Sequence, residues 1–206
     1  MNTAFPSAST IQVKALVEAE KCIINSLFHS VLARDVFADS YTELLLGRVE
    51  ELYHKCSTGK FSENVKNRYL YLNLFHSDLL FQLFSFDLQL CLTIGDTTVK
   101  MDSALKSNIF ARFYRLLEDS TKSVFEGNAL TQEEAERSNK ILKIMYSMLC
   151  CSPEIDQNEK TVKECANLSR ELVRNKKVPE STKQNVMNIL YRLDTHLIHF
   201  SPKVIE

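Results

Sequence analysis

Two histidines near the end of the chain have the spacing best suited to metal chemistry. His196 and His199 lie three residues apart in a predicted helix, a spacing that can direct two imidazoles at one metal ion. A metal site needs further ligands, and the sequence has no HxxxH, HExxH or CxxC motif to supply them nearby. Cys150 and Cys151 could join them only through folding. A metal-binding or hydrolytic site built from distant His and Cys residues is therefore an alternative, and no metal or cofactor is assigned to any residue.

The sequence also contains no motif that indicates covalent catalysis. Nucleophilic catalysis needs a nucleophile, a base and an orienting group within reach of one another. The chain has no GxSxG nucleophile elbow and no Gly-rich phosphate-binding loop of either common type. We therefore predict that the protein is not an enzyme and carries no catalytic residues.

A basic segment at residues 170–177, RELVRNKK, is the strongest positive feature of the chain. Cations at a helix C-terminus interact favourably with the helix dipole, so a solvated helix end explains the segment. The whole chain has 25 Lys and Arg residues against 26 Asp and Glu residues, a net charge of −1. Because nucleic-acid binding relies on basic excess, a nucleic-acid binder acting through 170–177 is an alternative only, and direct binding is not expected.

The cysteines and the N-terminus indicate an intracellular protein. The six cysteines include no CxxC pair, which suits reduced thiols in the cytoplasm or nucleus. The N-terminal residues MNTAFPSAST have neither the basic region nor the apolar core of a signal peptide.

The segment from Ser62 to Gly95 is the element around which the rest of the chain is expected to fold. No Gly or Pro interrupts it, and most of its helical circumference is apolar. Asp78 and Asp87 within it argue against a membrane span. Its excess of apolar surface predicts a partner interface, because exposed apolar patches mark binding sites. The predicted interface residues are Leu80, Phe81, Phe84 and Leu88, with Leu27 and Phe28 of the first helix.

The remaining apolar periodicity predicts an all-α protein, a single-domain bundle of about seven helices around that central helix. We expect a disordered arm at 1–9, one helical domain at 10–200 and a tail at 201–206. The first helix should run to about Ala33, and Ser40 and Glu43 should cap a second that begins near Ser40. Gly127 should stop the fourth predicted helix, and Thr131 and Glu134 should form a capping box that opens the fifth. No sequence repeat of fixed period is present, so a tetratricopeptide or ankyrin solenoid is not expected.

The opening pair of predicted helices resembles the start of the telomere-repeat-factor homology domain, an all-helical dimerisation module. The resemblance covers about 20 residues: the run LFHSVLAR at 27–34, then Phe37 and Tyr41. It implies a homodimer with a groove for short peptides of other telomere subunits, and no groove residue can be matched. The expected function is thus a non-enzymatic adaptor or scaffold that homodimerises and docks peptides of a larger telomeric or chromatin assembly. Its partners would be proteins, and a nuclear location would be favoured over a cytoplasmic one.

Overall fold

The computed structural model describes residues 10–58, 76, 103–151 and 159–199. Six helices and no strand occur among these residues, so the predicted all-α fold is confirmed. The helices are α1 (Thr10–His29), α2 (Val31–Thr58), α3 (Ser103–Phe125), α4 (Gln132–Cys151), α5 (Glu159–Arg174) and α6 (Glu180–His199). None of the helices in the described residues is long and apolar enough to cross a membrane. The predicted boundaries at residues 9 and 200 stay predictions.

The predicted central helix at 62–95 lies outside the described residues except for His76, which is helical. The His76 Nδ1 atom lies 3.0 Å from Oε1 of Glu20, a buried carboxylate on α1.

The join between α1 and α2 differs from the prediction. Only Ser30 separates the two helices, and α2 runs through Ser40 without a break. The Ser30 hydroxyl accepts a hydrogen bond from the Ala33 amide at 3.2 Å, as an N-cap residue does. The guanidinium of Arg34, which is buried, donates to the Leu27 carbonyl at 2.7 Å and so satisfies the end of α1. The predicted start of a helix at Ser40 was therefore wrong.

The predicted stop of α3 and start of α4 are confirmed. Gly127 has a φ of 90°, the left-handed conformation that lets a helix end without side-chain strain. Thr131 and Glu134 then form the predicted capping box. The Thr131 amide donates to Glu134 Oε2 at 2.8 Å, and the Glu134 amide donates to Thr131 Oγ1 at 3.2 Å.

The chain divides into two compact units, Met1–Leu83 and Phe84–Glu206. In the first, α1 packs against α2. In the second, α3 and α4 form an antiparallel hairpin in which the hydroxyls of Ser120 and Ser138 lie 2.9 Å apart. A second hairpin, α5 and α6, is tied by an ion pair of 2.6 Å between Arg170 and Asp194.

The two hairpins of the second unit stack with like helices together, α3 with α5 and α4 with α6. Asn185 on α6 donates a hydrogen bond to Asn139 on α4, 46 residues earlier in the chain. Arg192 lies over the ring of Tyr146, also 46 residues earlier. A constant offset means that α4 and α6 run parallel and in register. The offset falls within the roughly 40–47-residue period of HEAT and armadillo repeats. Because the sequence has no repeat of fixed period, this repeat-like stacking was not predicted.

Apolar side chains fill the space between the four helices of the second unit. Each such side chain contributes about 1.5–3 kcal/mol when it is fully removed from water. The members buried almost completely are Ile109, Phe110, Phe113, Leu117, Leu142, Ile144, Met145, Val162, Cys165, Leu172, Val186, Ile189 and Leu193. Burial raises the pKa of the Cys165 thiol to about 12, which keeps that thiol protonated and inert.

Candidate functional site

A cleft of about 530 Å³ lies between α3 and α5 in the second unit. It lies between the first helices of the two stacked hairpins. Successive turns of each helix supply its walls, because positions three or four residues apart share a helical face. The lining residues are Ala111, Tyr114, Arg115 and Glu118 of α3, and Lys160, Thr161 and Glu164 of α5.

Tyr114 lies on the buried side of this cleft. Burial, followed by the charges of Glu118 and Glu164, raises the pKa of Tyr114 to about 12. Its hydroxyl therefore stays protonated at physiological pH, and Glu118 lies one helical turn away on the same wall of the cleft. A phenol held in this state can donate a hydrogen bond but cannot serve as a base.

The rim of the cleft carries both signs of charge. Arg115 and Lys160 are exposed cations, and Glu118 and Glu164 are exposed carboxylates. Lys160 Nζ lies 3.8 Å from Glu164 Oε1 on the same helix. Mixed charges at a rim suit the orientation of a charged protein surface, since complementary charges steer encounter and fix register. Within the described residues no group of three or more His, Cys, Asp or Glu side chains is placed to hold a metal ion.

The predicted partner interface is only partly within the described residues. Leu27 is buried inside the first unit, whereas the Phe28 side chain is 59% exposed at the end of α1. The other predicted interface residues, Leu80, Phe81, Phe84 and Leu88, lie outside the described residues. Their role in an interface stays a prediction.

Most of the predicted metal-site side chains lie outside what the structure describes, so the site stays untested. Cys150 is a half-buried thiol near the end of α4. The backbones of Cys151, His196 and His199 are helical, and their side chains lie outside the described residues.

Two cations of the basic segment at 170–177 have structural contacts. Arg170 pairs with Asp194, and Lys177 donates a hydrogen bond from Nζ to the Gly127 carbonyl, which joins the α5–α6 loop to the α3–α4 turn. Arg174 and Lys176 are exposed. Arg170 therefore ties the α5–α6 hairpin together, and Lys177 holds that hairpin against the other one.

Comparison with protein families decides between the predicted functions. The family model Ric8, described as guanine nucleotide exchange factor synembryn, matches residues 2–202. This chain belongs to the Ric8 family. No curated protein and no solved structure matches the chain.

Membership of the Ric8 family overturns the functional predictions from sequence. The resemblance to the telomere-repeat-factor homology domain was wrong, because the Ric8 match spans nearly the whole chain. The predicted function as a homodimerising telomeric adaptor was wrong for the same reason. The metal-dependent and nucleic-acid-binding alternatives fit the family no better. The nuclear preference depended on the same resemblance and has no support.

The coarser predictions agree with the Ric8 family. An exchange factor acts on another protein, so the expectation of protein partners is correct. Promoting nucleotide release makes and breaks no covalent bond, which agrees with a protein that is not an enzyme in the usual sense. An intracellular location also agrees with the family.

Sequence reasoning missed the cleft. Its residues recur at three- and four-residue intervals on two helices, Tyr114, Arg115 and Glu118 on one and Lys160 and Glu164 on the other. Each set on its own is indistinguishable from a solvated helix face. The cleft arises only when the two hairpins stack. The 46-residue offset that describes this stacking is visible in the structure and has no counterpart in the sequence.

Proposed function

We propose that this chain acts as a guanine nucleotide exchange factor for a Gα subunit and binds that subunit partly through the α3–α5 cleft. The Ric8 match over residues 2–202 carries the proposal. The chain has no Gly-rich phosphate loop, which suits a protein that leaves the nucleotide to its partner. We expect the chain to act in the cytoplasm, where its partner binds the nucleotide.

Nucleotide exchange requires only that the exchange factor have different affinities for the nucleotide-free and the GDP-bound forms of its partner. A protein that binds the nucleotide-free form of its partner more tightly than the GDP-bound form must weaken GDP binding by the same factor. A coupling of about 3 kcal/mol corresponds to roughly a 150-fold change in nucleotide affinity. No general base or metal is needed for this work, which agrees with a cleft that has a protonated phenol and balanced charges.

The cleft is suited to a partner surface of mixed charge. Arg115 and Lys160 would face carboxylates, and Glu118 and Glu164 would face basic side chains. The Tyr114 hydroxyl adds a hydrogen-bond donor at the buried side. Reversing one rim charge places like charges opposite each other, and a loss of about 1.4 kcal/mol is a tenfold loss of affinity.

The test measures release of a fluorescent GDP analogue from a purified Gα subunit with and without the full chain. We expect the chain to accelerate release and Arg115→Glu to reduce that acceleration about tenfold. Lys176→Glu is the matched control, because it reverses an exposed cation outside the cleft. Absence of acceleration by the wild-type chain contradicts the proposed function. Equal loss in both variants indicates a general charge effect and removes the cleft from the proposal.

A further inference from the structure

The α3–α5 cleft has a carboxylate on each of its two walls. Glu118 lines it from α3, and Glu164 lines it from α5. Burial is the largest cause of the raised pKa of Tyr114, and the charges of Glu118 and Glu164 come next. Two carboxylates that act on one hydroxyl from different helices lie around the same space. The buried side of the cleft is therefore rich in hydrogen-bond acceptors.

The two cations of the cleft lie further out. The side chain of Lys160 is 85% exposed, against 45% for Glu164 on the same helix. Arg115 is also exposed, and neither cation is among the largest influences on the pKa of Tyr114. A cation close to the phenol would stabilise its ionised form and lower that pKa. The potential at the buried side is therefore negative, and a cation that enters the cleft is stabilised there.

The two carboxylates are available to an incoming cation. Within the part of the chain that the structure describes, Glu164 pairs with Lys160 at 3.8 Å, and Glu118 has no Lys or Arg at ion-pair distance. The pair of Glu164 with Lys160 joins positions four residues apart on an exposed helix face, a kind of ion pair that contributes little to stability. A ligand that binds both carboxylates therefore displaces one weak ion pair.

The shape and chemistry of the cleft favour a planar cation. The Tyr114 side chain is 8% exposed and lines the cleft beside both carboxylates, so it offers a fixed aromatic surface. A guanidinium group can lie against an aromatic ring and donate hydrogen bonds from its edge to carboxylates on either side. An ammonium group is a compact, strongly hydrated charge without this planar fork. A metal ion is disfavoured, because the described residues place no three His, Cys, Asp or Glu side chains around one point.

We infer that the α3–α5 cleft is a binding site for a guanidinium group, the side chain of an arginine, which Glu118 and Glu164 hold from the two walls beside Tyr114. The inference rests on the proposed function for the source of that arginine, which is a surface residue of the Gα subunit. Free arginine carries the same group, so the experiments below separate the two sources.

The first experiment uses the purified full chain alone. The chain is titrated with Nα-acetyl-arginine amide while NMR follows the backbone amide signals of the cleft residues. Nα-acetyl-citrulline amide is the matched probe, because it has nearly the same shape and no charge. We expect saturable shifts with the arginine probe and at least tenfold weaker binding of the citrulline probe. Glu118→Gln should weaken binding of the arginine probe by a similar factor.

The second experiment measures the Kd of the full chain for a purified, nucleotide-free Gα subunit. We expect Glu118→Gln and Glu164→Gln each to raise the Kd about tenfold. Exposed arginines of the Gα subunit are then changed to glutamine one at a time. One of these changes should raise the Kd by a similar factor and cause no further loss when it is combined with Glu118→Gln, because the two partners of one contact are coupled.

Glu171→Gln is the matched control in both experiments. Glu171 is an exposed carboxylate on α5, two helical turns beyond Glu164, and it does not line the cleft. Its substitution removes the same charge from the same helix, so it should change neither the binding of the arginine probe nor the Kd for the Gα subunit. Glu118 and Glu164 are exposed as well, and circular dichroism checks that each glutamine variant keeps its fold.

The outcomes separate the inference from the proposed function. Preference for the arginine probe together with a coupled arginine on the Gα subunit supports both the site and its source. Preference for the arginine probe with an unchanged Kd for the Gα subunit in both cleft variants supports the site and overturns the Gα subunit as its source. Equal binding of the two probes with an unchanged Kd in both cleft variants overturns the site, and the exchange function stands if the wild-type chain still accelerates GDP release. If the wild-type chain does not accelerate release, the proposed function falls, and the probe experiment still decides the site.

Discussion

The side-chain amide of Asn185 on α6 donates a hydrogen bond of 3.0 Å to the side-chain oxygen of Asn139 on α4. The two residues belong to successive hairpins, so the bond fixes the register in which one hairpin stacks on the other. It is partly buried, and its loss would leave a polar group with less access to water.

We predict that Asn185→Ala lowers the free energy of unfolding by about 1 kcal/mol. Urea denaturation of the two single variants and the Asn139→Ala/Asn185→Ala double variant should give a coupling energy of about 0.5–1.5 kcal/mol. Asn188→Ala is the control. Its side chain is exposed and bonds only within α6, to Gln184, so its effect should stay below about 0.5 kcal/mol. Additive single effects would show that the bond does not set the register.

Two glycines should respond in opposite directions to the same substitution. Gly47 is helical with open space at its Cβ position, so Gly47→Ala should raise the free energy of unfolding by about 0.5–1 kcal/mol. Gly127 has a φ of 90°, and its Cβ would meet only Lys177 Nζ at 3.8 Å, an ordinary contact. The backbone alone should make Gly127→Ala destabilising, by about 1–2 kcal/mol. Thermal and urea unfolding of both variants give the sign of each change in the free energy of unfolding. Changes of the same sign would contradict the backbone conformations assigned to the two glycines.

Local signals in the sequence were reliable where a few adjacent residues decide the structure. Gly127 ends α3, and Thr131 with Glu134 starts α4, because a left-handed turn and a capping box need only neighbours in the chain. The same reasoning predicted a helix start at Ser40 and Glu43, which was wrong. Buried Ala38, Thr42 and Leu45 continue one helical face across that position, so burial along α2 outweighs the capping pattern.

The candidate site depends on relations that adjacent residues do not contain. The α3–α5 cleft needs two hairpins to stack in one register, and the residues that hold this register, Asn139 and Asn185, carry no sequence pattern. The aromatic pair of Phe37 and Tyr41 was noticed in the sequence but was attributed to the wrong family. A motif of about 20 residues is too short to identify an all-helical fold, in which similar apolar spacings recur in every helix.

The α1–α2 join should depend on one buried cation. Arg34 donates to the carbonyl of Leu27 at 2.7 Å, and Arg34→Met removes that bond while keeping much of the side-chain length. We predict a loss of about 1.5–3 kcal/mol in the free energy of unfolding, the range for hydrogen bonds that involve a charged group. Arg48→Met is the control, because Arg48 pairs with Glu51 at a half-buried position within reach of water and should contribute at most about 1 kcal/mol. Equal effects of the two variants in urea denaturation would argue against a capping role for Arg34.

The buried thiol of Cys165 should make the folded state sensitive to alkaline pH. Burial raises the pKa of Cys165 from 9.0 to about 12, with the Ser169 hydroxyl acting weakly in the opposite direction. A raised folded-state pKa stabilises the fold fully below pH 9, and the contribution is lost as pH rises towards 12, because the unfolded chain releases the proton first. The slope from one such group is at most about 1.4 kcal/mol per pH unit.

Cys165→Ala removes this ionisable group and leaves a small cavity. We predict that the variant is less stable than wild type at pH 7, and that the deficit shrinks by about 2 kcal/mol at pH 10.5 as the wild-type thiol begins to oppose folding. Val162→Ala on the same buried face of α5 creates a comparable cavity without an ionisable group, so its deficit should be the same at both pH values. Urea denaturation at pH 7 and pH 10.5 gives both differences. A Cys165→Ala deficit that does not change with pH would mean that water reaches the thiol in the folded protein, and the packing between α5 and its neighbours would then be looser than the structure describes.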